Sequence, residues 1–268
     1  MIHLELLRYE LKAKRRSILY FCLGLIAWGG LITSLYPTVS GIEAFSDYWG
    51  QFPDTLKNLF GGHEINILRA EGYITLEYYQ LFLPLIIAAF AFSFAAFCVA
   101  RARENGTLEI LLSHPIERRD YAITSFVALT AGVALLTLVA VGTVMIVSFF
   151  LNIDISYAGQ LEFAASVFLL NLGLGGACLF ASCALKGVGQ VYAVGVTLFA
   201  ASYLVNFLAN NWTVFRILDH GLPFHYYDPY ATMTSGGFSW TGVAYHLPVA
   251  IIFATLSVLA LQRKDIVN

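Results

Sequence analysis

Charge is scarce in this chain. Asp, Glu, Lys and Arg make up 12% of its 268 residues, where a soluble domain carries about a quarter, which excludes an ordinary soluble globular protein. The 15 Lys and Arg against 17 Asp and Glu leave a net charge of -2, so no overall basic field exists to hold nucleic acid. Cysteine is sparse too. Cys22, Cys98, Cys178 and Cys183 all sit in apolar runs, without the close pairs of a zinc site or a disulfide framework, and read as small buried hydrophobes. No Gly-Lys pair occurs, so the chain lacks a phosphate-binding loop, which needs that lysine to reach the phosphates. If ATP hydrolysis drives this protein, it comes from another polypeptide.

What the chain has is apolar length, with 59% hydrophobic residues. A helix rising 1.5 Å per residue needs about 20 apolar residues to cross about 30 Å of hydrocarbon. Six stretches qualify: Ser17 to Tyr36, Gln80 to Ala100, Ala122 to Leu151, Phe163 to Leu185, Val191 to Ala209 and Gly242 to Leu261. Unpaired backbone groups in lipid cost several kcal/mol each, and long continuous apolarity is not the alternation of a membrane barrel. The expected fold is therefore all-α and polytopic, a single transmembrane domain over residues 1–268 with outer loops at 37–79 and 210–241. The first apolar run exceeds the 7 to 15 residues or so of a signal-peptide core and reads as a signal anchor.

Positive residues are retained on the cytoplasmic side. Arg8, Lys12, Lys14, Arg15, Arg16, Arg101, Arg103, Arg118, Arg119, Lys186, Arg263 and Lys264 fall on one side of the six spans, and Lys57, Arg69 and Arg216 on the other. Both termini are expected in the cytoplasm. Ahead of the first span, Leu4, Leu7 and Leu11 share one helical face and Glu5, Arg8 and Lys12 another, the pattern of a helix lying in the interface over residues 1–16. In the first outer loop, Tyr48, Phe52, Leu56 and Phe60 recur every four residues and predict a short amphipathic helix. The last outer loop is rich in aromatic rings, including Trp212, Phe224, Tyr226, Tyr227 and Trp240, which suit the headgroup layer and predict packing back onto the bundle ahead of substrate gating.

The spans contain no Asp, Glu, Lys or Arg, whereas ion-coupled carriers need ionisable groups at membrane depth. His246 enters the last span near its outer end and reads as an interfacial hydrogen-bonder. His220 and His225 with Asp219 or Asp228 have the chemistry for a metal, but the spacing does not favour that over loop packing. Gly173, Ala177 and Ala181 follow a small-xxx-small spacing that suits close helix contact, within the bundle before a dimer seam. A path lined by such helices would be mostly apolar and aromatic, which suits a lipid-like, peptide or amphiphilic cargo.

The connection between the second and third spans, RARENGTLEILLSHPIERRDY, is the most informative segment. Asn105 or Thr107 can cap a short helix beginning near Leu108, which Pro115 stops from continuing beyond Ser113 or His114. Leu108, Ile110, Leu111 and Leu112 then lie on a helix outside the bilayer and need a protein or the membrane surface to cover them.

The run from Phe82 to Arg119 resembles the membrane subunits of type-2 ABC transporters, whose second span leads into a segment with the same order of polar, glycine and proline positions. The matching residues are Glu104, Gly106, Thr107, Leu108, Glu109, Leu111, Leu112, Pro115 and Arg118. Weaker resemblances lie at Phe52 to Gly61, Pro223 to Pro229 and Arg263 to Asp265. The resemblance implies a permease subunit, an exporter in the cell membrane, whose connection acts as a coupling helix docked on a separate ABC ATPase subunit. It implies ATP and Mg on that subunit, no cofactor or catalytic residue in this chain, and a second permease half, identical or not. Glu104 and Glu109 would then contact the ATPase or hold Arg101, Arg103 or Arg118. The readings from other classes are a stand-alone channel or secondary carrier and a non-transporting membrane scaffold.

Overall fold

The computed structural model describes residues 2–40, 51, 53, 57, 65–113, 116–234 and 239–263. Among the described residues there is no strand. Six helices among the described residues are long and apolar enough to cross a membrane, as continuous apolarity requires where every backbone group must be satisfied within its own helix.

A short helix, α1 (Leu4–Ala13), precedes the first long helix α2 (Arg15–Ser40). The second span, α3 (Ala70–Glu104), starts ten residues before the expected Gln80. Glu71 and Glu77 lower the hydropathy of its first turns, yet the backbone there is already helical. Two of its stretches, Thr75–Tyr79 and Phe97–Arg101, are π-helical. After α4 (Thr107–Leu112) come the long helices α5 (Arg118–Phe150), α6 (Tyr157–Ala184) and α7 (Val188–Asn211). Two short helices, α8 (Arg216–Asp219) and α9 (Pro229–Thr234), lead into the last span, α10 (Trp240–Arg263). The helix expected from Tyr48, Phe52, Leu56 and Phe60 lies outside the described residues.

Helix α6 is the hub, packing most extensively on α10 and also on α3, α5 and α7. Lipid tails are as apolar as leucine, so association rests on close packing rather than on expelling water. Glycines make the closest approaches. A Cβ on Gly175 of α6 would stand 3.1 Å from the Ala91 Cβ of α3, and one on Gly195 of α7 would stand 2.6 Å from the Cys178 Sγ of α6. The small residues Gly173, Ala177 and Ala181 are buried inside the chain, and Gly173 faces Val249 of α10. Their spacing serves the bundle. Cys98, Cys178 and Cys183 are buried free thiols, and Cys22 is half-buried.

Candidate functional site

The end of the bundle that carries α1 and α4 holds most of the sequence-predicted residues. Helix α4 begins at Thr107 with Gly106 as its N-cap, at φ 69°. Neither Asn105 nor Thr107 caps it: the chain reverses there in a left-handed conformation that glycine adopts without a Cβ penalty. Thr107 and Leu111 are half-buried and Leu108 is fully buried, while Glu109 and Ile110 face outward, Ile110 at 65% exposure. The expected unpartnered apolar helix is therefore narrower than its composition suggests, because its own chain already covers Leu108. The side chain of Leu112 and all of Pro115 lie outside the described residues. Arg118 opens α5 and is half-buried.

Glu104 and Arg103 are turned onto the connection between α6 and α7. The Glu104 Oε1 accepts the backbone N–H of Val188, the first residue of α7, at 2.8 Å. Arg103 donates to the Leu185 and Cys183 carbonyls at the end of α6, at 2.6 and 3.3 Å. An anion thus meets a helix N-terminus and a cation a helix C-terminus, the favourable sense for both dipoles. At the same level the Ser182 hydroxyl accepts the Ala100 N–H at 2.9 Å, a donor within the second π-helical stretch.

Helix α1 lies along α5. The apolar face of Leu4, Leu7 and Leu11 is only partly covered by the rest of the chain, with Leu4 at 64% exposure. The buried stripe is instead Leu6, Glu10 and Lys14. Glu10 accepts from the Ser125 hydroxyl at 2.6 Å, and its second oxygen is buried with no partner among the described residues. Burial pushes the Glu10 carboxyl up to about 7, against the lowering effect of the Ser125 hydrogen bond. Lys14 reaches the Ser93 carbonyl and hydroxyl of α3 at 3.2 and 3.0 Å and sits over the Phe97 ring. Burial, then the positive charge of Arg101, lowers the Lys14 ammonium from its ordinary value. A cavity of about 150 Å³ lies between α1, the end of α3 and α4, lined by Glu10, Cys98, Arg101, Asn105, Thr107 and Leu111 among others. Sequence reasoning missed Glu10 and Lys14 as internal groups. The available signal was their i, i+4 continuation of Leu6.

At the opposite end the aromatic segment does pack back onto the bundle. The Tyr227 hydroxyl donates to the Tyr79 carbonyl at 2.6 Å, and the Tyr79 hydroxyl to Gln160 of α6 at 2.7 Å. Phe224 is buried among Phe199, Tyr203 and Tyr227, whereas Trp212 and Trp240 are exposed. His246 is buried beside Tyr245 and Tyr226, and its Nε2 has no partner among the described residues. Asp219 takes hydrogen bonds from His225, at 2.6 Å, and from Asn206. Asp228 accepts the Ala231 N–H. Among the described residues no three His, Cys, Asp or Glu side chains group as metal ligands.

No curated protein matches the sequence significantly. A family model described as ABC-2 family transporter protein matches residues 27–266. That span takes in five of the six long helices whole, about half of the first, and the Arg103 to Leu112 segment that leads from the end of α3 through α4. With six spans capable of crossing a bilayer and a family match over most of its length, the chain belongs to the ABC-2 family of transporter proteins, as the multi-pass permease subunit of an ABC transporter.

Proposed function

We propose that this permease is worked by a separate ATPase subunit that grips α4, and that ATP and Mg are bound there, with none in this chain. The observation that carries this reading is the division of α4: Thr107, Leu108 and Leu111 anchor it to the bundle, while Glu109 and Ile110 face outward at the bundle's basic end. A push on α4 would reach Arg103 and Glu104 within a few residues, and through them the turn between α6 and α7. The basic end lies in the cytoplasm of a cell-membrane protein, by the distribution of Lys and Arg. A second permease half completes the path, and the direction is export, both as the resemblance implies. Residues 1–268 act as one transmembrane domain.

The test is co-expression with a candidate ATPase and purification in detergent. Ile110→Asp and Glu109→Lys change only outward-facing positions. Loss of ATPase co-purification with an unchanged melting temperature is expected, and undiminished co-purification with both variants overturns the docking assignment. Transport by the purified chain in liposomes without ATP or an ATPase would replace this reading with that of a carrier acting alone.

A further inference from the structure

Two hollows on the outward face of α1 and α2 have no role in the reading above. The first, about 500 Å³, lies at the junction of the two helices and is lined by Tyr9, Lys12, Ala13, Arg15 and Arg16. Lys12, Arg15 and Arg16 are all exposed, and none makes an ion pair among the described residues. The second, about 510 Å³, is lined by Tyr20, Phe21, Gly24, Trp28, Phe82 and Ile86. Trp28 and Phe82 form its far wall, their rings 5.5 Å apart. Gly24 opens its floor, since a Cβ there would meet nothing within 4 Å.

The two hollows meet along an inclined ridge of α2. Arg16, Tyr20, Gly24 and Trp28 recur every four residues and so follow one ridge of α2. Twelve residues of helix rise about 18 Å, close to the roughly 15 Å depth of one leaflet's hydrocarbon. We propose that they form one site for an anionic phospholipid of the adjoining leaflet, its phosphate held by Lys12, Arg15 and Arg16 and an acyl chain lying in the Tyr20 to Trp28 groove. Three unpaired cations complement a phosphodiester, and the Tyr9 hydroxyl adds a hydrogen-bond donor. The groove presents carbon at the depth where that lipid's chain runs. Its width comes from the missing side chain at Gly24.

Trp28 is the probe. The chain has four tryptophans; with Trp49, Trp212 and Trp240 changed to Phe, the full-length protein is reconstituted with phosphatidylglycerol or phosphatidylcholine brominated on the acyl chain. At low salt the phosphatidylglycerol should be preferred at Trp28 by about fivefold or more, roughly the effect of one basic residue near an anionic surface. Lys12→Gln, Arg15→Gln and Arg16→Gln together should bring the ratio to about one, with high salt acting in the same direction. Gly24→Leu fills the groove without a clash and should weaken quenching by both lipids while the helical circular dichroism stays unchanged. Equal quenching by the two headgroups in the starting protein, or a ratio that survives the triple change, overturns the proposal. Absence of quenching by either lipid means that a second copy or another protein covers this face, and also overturns it. Competition by soluble glycerol phosphate would assign the basic hollow to free phosphate instead of lipid.

Discussion

Glu104 and Val188 stand 84 positions apart in sequence and are joined by one hydrogen bond of 2.8 Å, from the Val188 N–H to the Glu104 carboxylate. The acidic residue that leads into α4 therefore also finishes the first turn of α7. Replacing Glu104 by Ala should cost about 1 kcal/mol, the usual loss when a helix start is left without its side-chain acceptor. Glu104→Gln retains an oxygen and should cost less. Hydrogen exchange at Val188 and its neighbours checks this: protection should fall in the Ala variant and stay near the original in the Gln variant.

Docking of α1 on α5 should depend on pH through Glu10. In the docked state the carboxyl is pushed by burial from 4.5 to about 7; once α1 lifts off, it regains its ordinary value. The docked state therefore binds more protons between those limits, so docking is strongest below about 4.5 and weakens as pH rises through about 7. Tyr9 from α1, Lys14 just beyond its end, Cys98 and Arg101 from α3 and Tyr121 from α5 are the titratable and charged groups around it. Hydrogen exchange of α1, corrected for intrinsic rates, should show protection falling from about pH 5 to about pH 8. Glu10→Gln should abolish the trend, and an unchanged trend would assign it to another group.

Leu108 and Ile110 should separate stability from docking. Leu108 is fully buried and Ile110 is 65% exposed. Leu108→Ala should cost about 2–5 kcal/mol as a buried large-to-small change. Ile110→Ala should shift stability by about 0.5 kcal/mol or less. Thermal unfolding in detergent without an ATPase measures both.

Two glycines should respond to alanine with opposite signs. A Cβ at Gly195 would stand 2.6 Å from Cys178 Sγ and 2.8 Å from Phe92, whereas at Gly142 it would meet nothing within 4 Å. Gly195→Ala should destabilise by about 1–3 kcal/mol through overpacking. Gly142→Ala, in the middle of α5, should stabilise by up to about 1 kcal/mol through helix propensity. The two melting temperatures should move apart around that of the starting protein.

The spans were legible because each is a long local run, and a helix is the only unclosed structure that satisfies such a run in lipid. The early start of α3 was not, since Glu71 and Glu77 break the run while their backbone stays helical. Leu4, Leu7 and Leu11 mark a face of α1 that the chain leaves partly exposed, while its protein-facing stripe was not legible, because periodicity counts apolar residues and Glu10 and Lys14 enter the interior through specific partners, Ser125 and Ser93. Thr107, Leu108, Glu109 and Leu111 fall on one short helix, Thr107–Leu112, legible from the turn at Asn105 to Thr107 and the stop near Pro115. The partners of Arg103 and Glu104 were hidden by distance, lying about 80 residues downstream.

With α6 at the hub, four long helices press against its sides, and the glycines that seat them leave little slack. Mechanically such a helix behaves as an axle. It cannot turn or slide without displacing its neighbours together, and α2 is tied to the same body along α5 and at Gly29, where a Cβ would stand 2.9 Å from the buried Tyr78 ring. Motion within the chain would therefore be concentrated in the connections between the long helices, with the hub as the fixed reference.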